Sequence, residues 1–175
     1  MRDPLLELLD EARADEAGRR RGRERVLRSQ AEEDASLAGT ILDLAERGTP
    51  VTVRTSEGRS HTGWIPAVGA DFLVLRTEAA DVFVVLAAVA SLRPAAGPPA
   101  TGDRPTPSDT LLLDVLATAA PSRPRVALVV AGDQISGELR AVGTDVVTIQ
   151  LDGPERAPAY VSSAAVSEAL LFRSG

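Results

Sequence analysis

One stretch of this chain occurs twice. HTGWIPAVGADFLVL, from His61 to Leu75, returns 74 positions later as ISGELRAVGTDVVTI, from Ile135 to Ile149. Gly63 falls on Gly137, Ala67-Val68-Gly69 on Ala141-Val142-Gly143, and Asp71 on Asp145. Apolar residues alternate on either side of each conserved-in-place glycine, which is the two-residue period of a strand with one buried face. A glycine inside such a strand marks sharp bending or close backbone approach. The chain must therefore accommodate the same bent β unit twice.

The flanking sequence follows the duplication. A charged helix is expected from Asp3 to Gln30, with Asp3 as N-cap, Pro4 in the first turn and Leu5, Leu8, Leu9 and Ala12 at helical spacing. The apolar stripe lapses after Arg13, and Gly18 and Gly22 each cost about 1 kcal/mol against alanine, so the middle of this helix is expected to fray. A second helix is expected from Ala35 to Arg47, stopped by Gly48 and Pro50. Strands then alternate over Val51–Thr55, Arg59–Ala67, Phe72–Leu75, Val82–Val85 and Ala88–Leu92. Pro94 to Pro107 (PAAGPPATGDRPTP) has almost nothing to bury and reads as an extended, exposed linker. Beyond it a helix from Thr110 to Ala119, capped by Ser108 or Asp109, precedes five more strands. The expected division is a charged helix over 1–34, a first unit over 35–94, a linker over 95–107 and a second unit over 108–175. A five-stranded sheet of this length closes most economically as a small bent barrel, with its helix over one open end.

Composition narrows the chemistry. All 19 basic residues are arginine, so Schiff-base lysine and the lysine of a P-loop are excluded, and no GxxxxGK[ST] or GxGxxG occurs. There is no cysteine, hence no disulfide, thiol nucleophile or thiolate metal site. A net charge of −6 disfavours a general nucleic-acid binder, because phosphate contacts want a basic face. No run of about 18 apolar residues occurs and the N-terminus has no basic-then-apolar leader, so a cytoplasmic protein without a membrane association is expected. The arginine, alanine, glycine and proline bias resembles that of high-GC genomes such as those of actinobacteria.

The alternating strand, glycine turn and G-x-I-x-x-V-G-x-D-F-L-V-L of Val51 to Leu75 resemble the first signature of the Sm-like family (Sm, LSm and Hfq proteins). The resemblance covers roughly Leu37 to Pro94 and Thr110 to Phe172. It implies an α+β, mostly β architecture of two tandem Sm-like barrels, each a helix plus five bent antiparallel strands, behind an extra N-terminal helix. An SH3-like barrel fits the same pattern of strands. The family's base-contacting asparagine falls where this chain has Leu73 and Val147, and its Arg-Gly pair where it has Leu86-Ala87 and Ser163-Ala164. The resemblance therefore does not bring the family's RNA-contact residues with it, and the fusion implies an intramolecular pair in place of a ring.

Few residues remain as candidates. His61 is the only histidine and cannot build an ordinary zinc site alone, so it reads as a surface or half-buried structural residue. Asp71 and Asp145 follow glycine turns and read as turn-holding carboxylates. Trp64 is either an exposed contact anchor or packed against the other unit or the capping helix. Arg19, Arg20, Arg21, Arg23, Arg25 and Arg28 are a solvated helix face laced with Glu-Arg pairs, or a basic stripe for RNA, DNA or an acidic partner; Leu5, Leu8 and Ala12 offer a short coiled-coil seam. No catalytic, metal-binding or cofactor-binding set is assembled. The expected function is non-enzymatic, a protein–protein adaptor or assembly module acting on a protein partner or on itself. The alternative is an RNA- or DNA-binding regulator using the arginines, Trp64 and His61.

Overall fold

The computed structural model describes residues 4–33, 35–100, 102, 108–154 and 156–172. Three α-helices and ten strands follow one another as α1 (Pro4–Glu33), α2 (Leu37–Glu46), β1 (Val51–Thr55), β2 (Ser60–Val68), β3 (Phe72–Arg76), β4 (Ala80–Val85), β5 (Val89–Pro94), α3 (Leu112–Ala119), β6 (Arg125–Val130), β7 (Asp133–Val142), β8 (Val146–Leu151), β9 (Pro158–Ser162) and β10 (Val166–Phe172).

The two tandem Sm-like barrels expected from the sequence are not formed. All ten strands make a single open antiparallel sheet in the order β5-β1-β2-β3-β4-β10-β6-β7-β8-β9. The joint is the pairing of β4 with β10, from Val84 opposite Glu168 to Ala80 opposite Phe172. Neither half closes on itself: β5 pairs with β1 and β9 with β8, leaving one free edge at each end. The physical reason is that β10 takes the outer edge of β4, the edge to which β5 would have to pair to close the first barrel. A five-stranded unit that stays open has two edges, and a second unit on the same chain can cover one of them. Along the sheet the duplicated segments take corresponding places, β5-β1-β2-β3-β4 followed by β10-β6-β7-β8-β9.

Burial follows from this joint. Val51, Val53, Leu73, Leu75, Val82 and Val84 pack with Ile41 and Leu44 of α2 in one core. Phe72, Val74 and Phe83, the alternate residues of β3 and β4, join Leu112, Leu116, Val126, Leu128, Leu139, Val147 and Ile149 in the other. Strands β3 and β4 are thus apolar on both faces, as expected of strands covered on both sides. The phenyl rings of Phe72 and Phe83 lie 5.7 Å apart, tilted by 41°.

The repeated glycines are explained by backbone contact. A Cβ on Gly63 would lie 2.1 Å from the carbonyl oxygen of Arg76, and one on Gly137 the same distance from that of Gln150. Just beyond each, the register shifts, between Trp64 and Ala67 and between Leu139 and Ala141, so the strand bends where the glycine lets its neighbour close in.

The helices depart from expectation in two ways. α1 is a single 30-residue helix that runs through Gly18 and Gly22 without a break. The good helix formers that fill most of α1, with the Arg20–Glu24 pair, outweigh two glycine penalties of about 1 kcal/mol each. The proposed cap Asp3 and the side chains of Leu5, Leu8, Leu9 and Ala12 lie outside the described residues. α3 starts at Leu112, not Thr110, and is capped by neither Ser108 nor Asp109. Its first amides are taken by carboxylates: Leu111 N–H donates to Asp114 (3.2 Å) and Leu112 N–H to Asp71 of the first half (2.8 Å). α2 is capped by Ser36, whose hydroxyl accepts from Gly39 N–H at 2.9 Å. The linker touches this helix, since Arg47 donates to the carbonyls of Pro98 (2.7 Å) and Pro99 (3.1 Å) and Ser36 N–H donates to that of Gly102 (3.0 Å). Linker residues 101 and 103–107 lie outside the described residues. Among the described residues no helix is long and apolar enough to cross a membrane.

Candidate functional site at the seam and ends of the sheet

The most polar buried place in the molecule is the seam. Glu168 lies in β10 within an apolar run (VSEALLF) and is 0% exposed. Its Oε2 accepts from His61 Nε2 at 2.7 Å and from Arg59 Nε at 3.0 Å, both from the start of β2. Arg59 and His61 are two residues apart along an extended segment, so their side chains leave on one face. Arg59 also reaches Gln134 of β7 at 3.4 Å. Next to this group, the Ser167 hydroxyl donates to Glu57 at 2.9 Å and lies 3.1 Å from the carbonyl of Val129. Burial alone would push the Glu168 carboxyl up; hydrogen bonds and charge from His61, then from Arg59, outweigh it and hold the carboxyl below its ordinary value. With the carboxylate ionised, the proton in the short contact sits on His61 Nε2. Glu168 Oε1 and the Thr55 hydroxyl are buried without a hydrogen-bond partner.

His61 is a largely buried residue hydrogen-bonded to an acid from the other half of the chain. Its geometry serves attachment, because the carboxylate it holds has no access to solvent. The sequence reading missed Glu168 and Arg59. The signal was present: a lone acid inside an apolar strand requires a counter-charge, and Arg59-Ser60-His61 is the one place where arginine alternates with the single histidine.

The carboxylate of Asp71, expected to hold its own turn, reaches another element instead. The Asp71 carbonyl accepts from Leu86 N–H (2.8 Å), its carboxylate takes Leu112 N–H, and Ala70 N–H donates to Thr110 (2.9 Å), so α3 of the second half is fastened to the β3 turn of the first. Asp145 keeps the turn contact, its carbonyl accepting from Ser163 N–H at 2.9 Å, but its side chain is exposed. A half-open cavity of about 260 Å³ remains at this junction, walled by Val85, Leu112, Leu116, Val147 and Val166 and rimmed by Asp71 and Ser163.

The free ends of the sheet are uncovered versions of the seam. Phe83 of β4 is 9% exposed, whereas Tyr160, at the corresponding place on the free strand β9, is 73% exposed. Leu112, at the start of α3, is 5% exposed; Leu37, at the start of α2, is 43% exposed. Trp64 lies elsewhere, half exposed at 53% on β2, opposite Arg76, beside an open depression lined by Pro50, Thr62, Thr77 and Glu78.

Arg19, Arg20, Arg21, Arg23 and Arg25 are all exposed along α1. At roughly 100° per residue, Arg19 and Arg23 share one side of the helix and Arg21 and Arg25 the opposite side, so these arginines encircle the helix instead of forming one stripe. Arg20 pairs with Glu24 at 3.5 Å, and Arg21 Nε donates to the Ala17 carbonyl at 3.2 Å. The side chain of Arg28 lies outside the described residues. Among the described residues no group of three or more acids and histidines is placed to hold a metal ion.

Compared with known proteins, the chain matches no family model, and no curated protein matches it.

Proposed function

We propose that this protein is a non-enzymatic assembly module that associates with further copies of itself through the two free ends of its sheet. One observation carries the reading. Residues that are buried where β10 and α3 meet β4 have exposed counterparts at both ends of the molecule, Tyr160 for Phe83 and Leu37 for Leu112. Docking the β9 end of one copy on the β5 end of the next would repeat the internal joint, setting Tyr160 opposite Leu92 as Phe83 stands opposite Ala169. The contact is heterologous, so it makes rings or open chains depending on the rotation between copies. Pro94 and Pro158 would meet at one end of this ladder, and each lacks an N–H, which weakens the pairing and keeps it reversible.

Light scattering coupled to gel filtration tests this over a range of protein concentrations. The expected result is a mass above that of one chain that falls on dilution, and a single-chain mass at all concentrations for Tyr160→Arg and for Leu37→Asp. A wild-type protein that is monomeric throughout overturns the reading. Running the same samples with and without nuclease, and at low and high salt, exposes the competing outcome: an assembly that dissolves with nuclease and weakens steeply with salt would assign the arginines of α1 to nucleic acid.

A further inference from the structure

We propose that Glu168, with Arg59 and His61, is a pairing key that makes β10 dock on β4 of its own half-sheet neighbour and reject β9, the other edge of matching shape. The inference concerns the internal seam and stands whether or not the ends associate. β4 and β9 occupy corresponding places in the two halves and pair with β3 and β8 in the same way, Leu73 opposite Val84 and Val147 opposite Val161. By backbone shape alone, β10 could therefore lie beside β4 or beside the β9 of another copy. The side chains separate the two. Beside β4, the β1–β2 hairpin delivers Arg59 and His61 to the carboxylate. At the same positions the β6–β7 hairpin carries Asp133, opposite Val130 as Arg59 stands opposite Thr55, and Ile135, neither of which can be positively charged.

A β10 strand placed on β9 would bring Glu168 to the acid Asp133 and the apolar Ile135 in place of Arg59 and His61. An unpaired buried charge is among the most strongly penalised features of a protein interior, and a buried pair is best attested where it selects register or partner. The rest of the surroundings agrees. Glu57 already binds Ser167, and its place in the second hairpin falls in the Ala131-Gly132 turn, while Asp81, opposite Leu171, is paired with Arg76. β5, which corresponds to β10, carries Ser91 where β10 carries Glu168, so a β5 strand approaching β9 brings no carboxylate to be stranded. The charged group is thus confined to the one joint where its counter-charges exist, and it excludes wrong pairings between identical chains without barring contact at the free ends.

The chain has no cysteine, so engineered thiols report pairing without background. In a protein bearing Ala159→Cys and Leu170→Cys, a disulfide between these positions forms when β10 of one copy lies on β9 of another; within one chain the two strands are separated by β6, β7 and β8. Two forms of different length are unfolded together, refolded and oxidised, and mixed-length disulfide dimers are counted on a non-reducing gel. Few are expected with the key intact. Adding Glu168→Ser, the residue β5 carries there, should raise them roughly tenfold, the ratio that ~1.4 kcal/mol corresponds to. Because that variant can fail to fold, a second installs the key at the wrong edge: Asp133→Arg with Ile135→His in a chain that retains Glu168 should also raise the mixed dimers. Mixed dimers at the wild-type level in the second variant, or in a folded Glu168→Ser protein, overturn the proposal.

Discussion

Glu168 shows how one side chain can govern the joint between two halves of a protein. It is buried, ionised and hydrogen-bonded through one oxygen only, so its contribution depends wholly on Arg59 and His61. Because its carboxyl titrates below the ordinary value, its stabilisation is fully present above the unfolded-state value of about 4.3 and is lost as pH falls through the folded one. Urea unfolding at a series of pH values should therefore show a stability loss below that range that is smaller in Glu168→Gln. At neutral pH the same substitution should cost on the order of 1–3 kcal/mol, the usual worth of hydrogen bonds to a charged group. An unchanged acid limb in Glu168→Gln would remove the carboxylate from the account. The residue-scale reading of the sequence found His61 and judged it structural, but not its partner, since 107 positions separate them and only the fold brings them together.

At the scale of elements, the sequence was most legible where backbone sterics dictate the residue. The alternation of β1 and the glycine of β2 could be read directly, because a close carbonyl admits no Cβ. Gly63→Ala would force that methyl to within 2.1 Å of the Arg76 carbonyl, so β2 or β3 must shift. A loss of about 1–3 kcal/mol is expected, the usual cost of overpacking, with a matching loss for Gly137→Ala; thermal denaturation of both checks it. Gly18→Ala, with open space around its Cα, should instead be neutral or stabilise α1. Helix starts were less legible. The Ser36 cap of α2 was not read from the sequence, and the Leu112 amide of α3 is taken by Asp71, 41 positions away, which no local pattern announces.

For the whole molecule, the sequence suggested two self-contained barrels and the structure has one sheet. The difference lies in information the sequence does not display locally. Strand patterns say which face is buried, not which edge is paired, and β4 and β10 each read as an ordinary apolar strand. The sharing of Phe72, Val74 and Phe83 across the joint predicts that the two halves unfold together. The single tryptophan, Trp64, lies in the first half and the single tyrosine, Tyr160, in the second, so their fluorescence and absorbance report the halves separately. The two urea transitions should coincide, and Leu73→Ala in the first half should move both midpoints equally. Two separated transitions would mean that the halves are energetically independent.

The position of β10 between β4 and β6 also sets an order of events during synthesis. The first half can fold as soon as β5 leaves the ribosome, but the β4 edge waits for a strand that is made only after the linker, α3 and four further strands. At roughly 5–20 residues per second, that interval is on the order of ten seconds. Throughout it, Phe83 and its neighbours are exposed on every nascent chain, and chains on one messenger are crowded together. The partner each nascent edge ultimately accepts is then a matter of timing as well as affinity, and slowing translation between β5 and β10 should lengthen the period in which neighbouring chains can be joined by mistake.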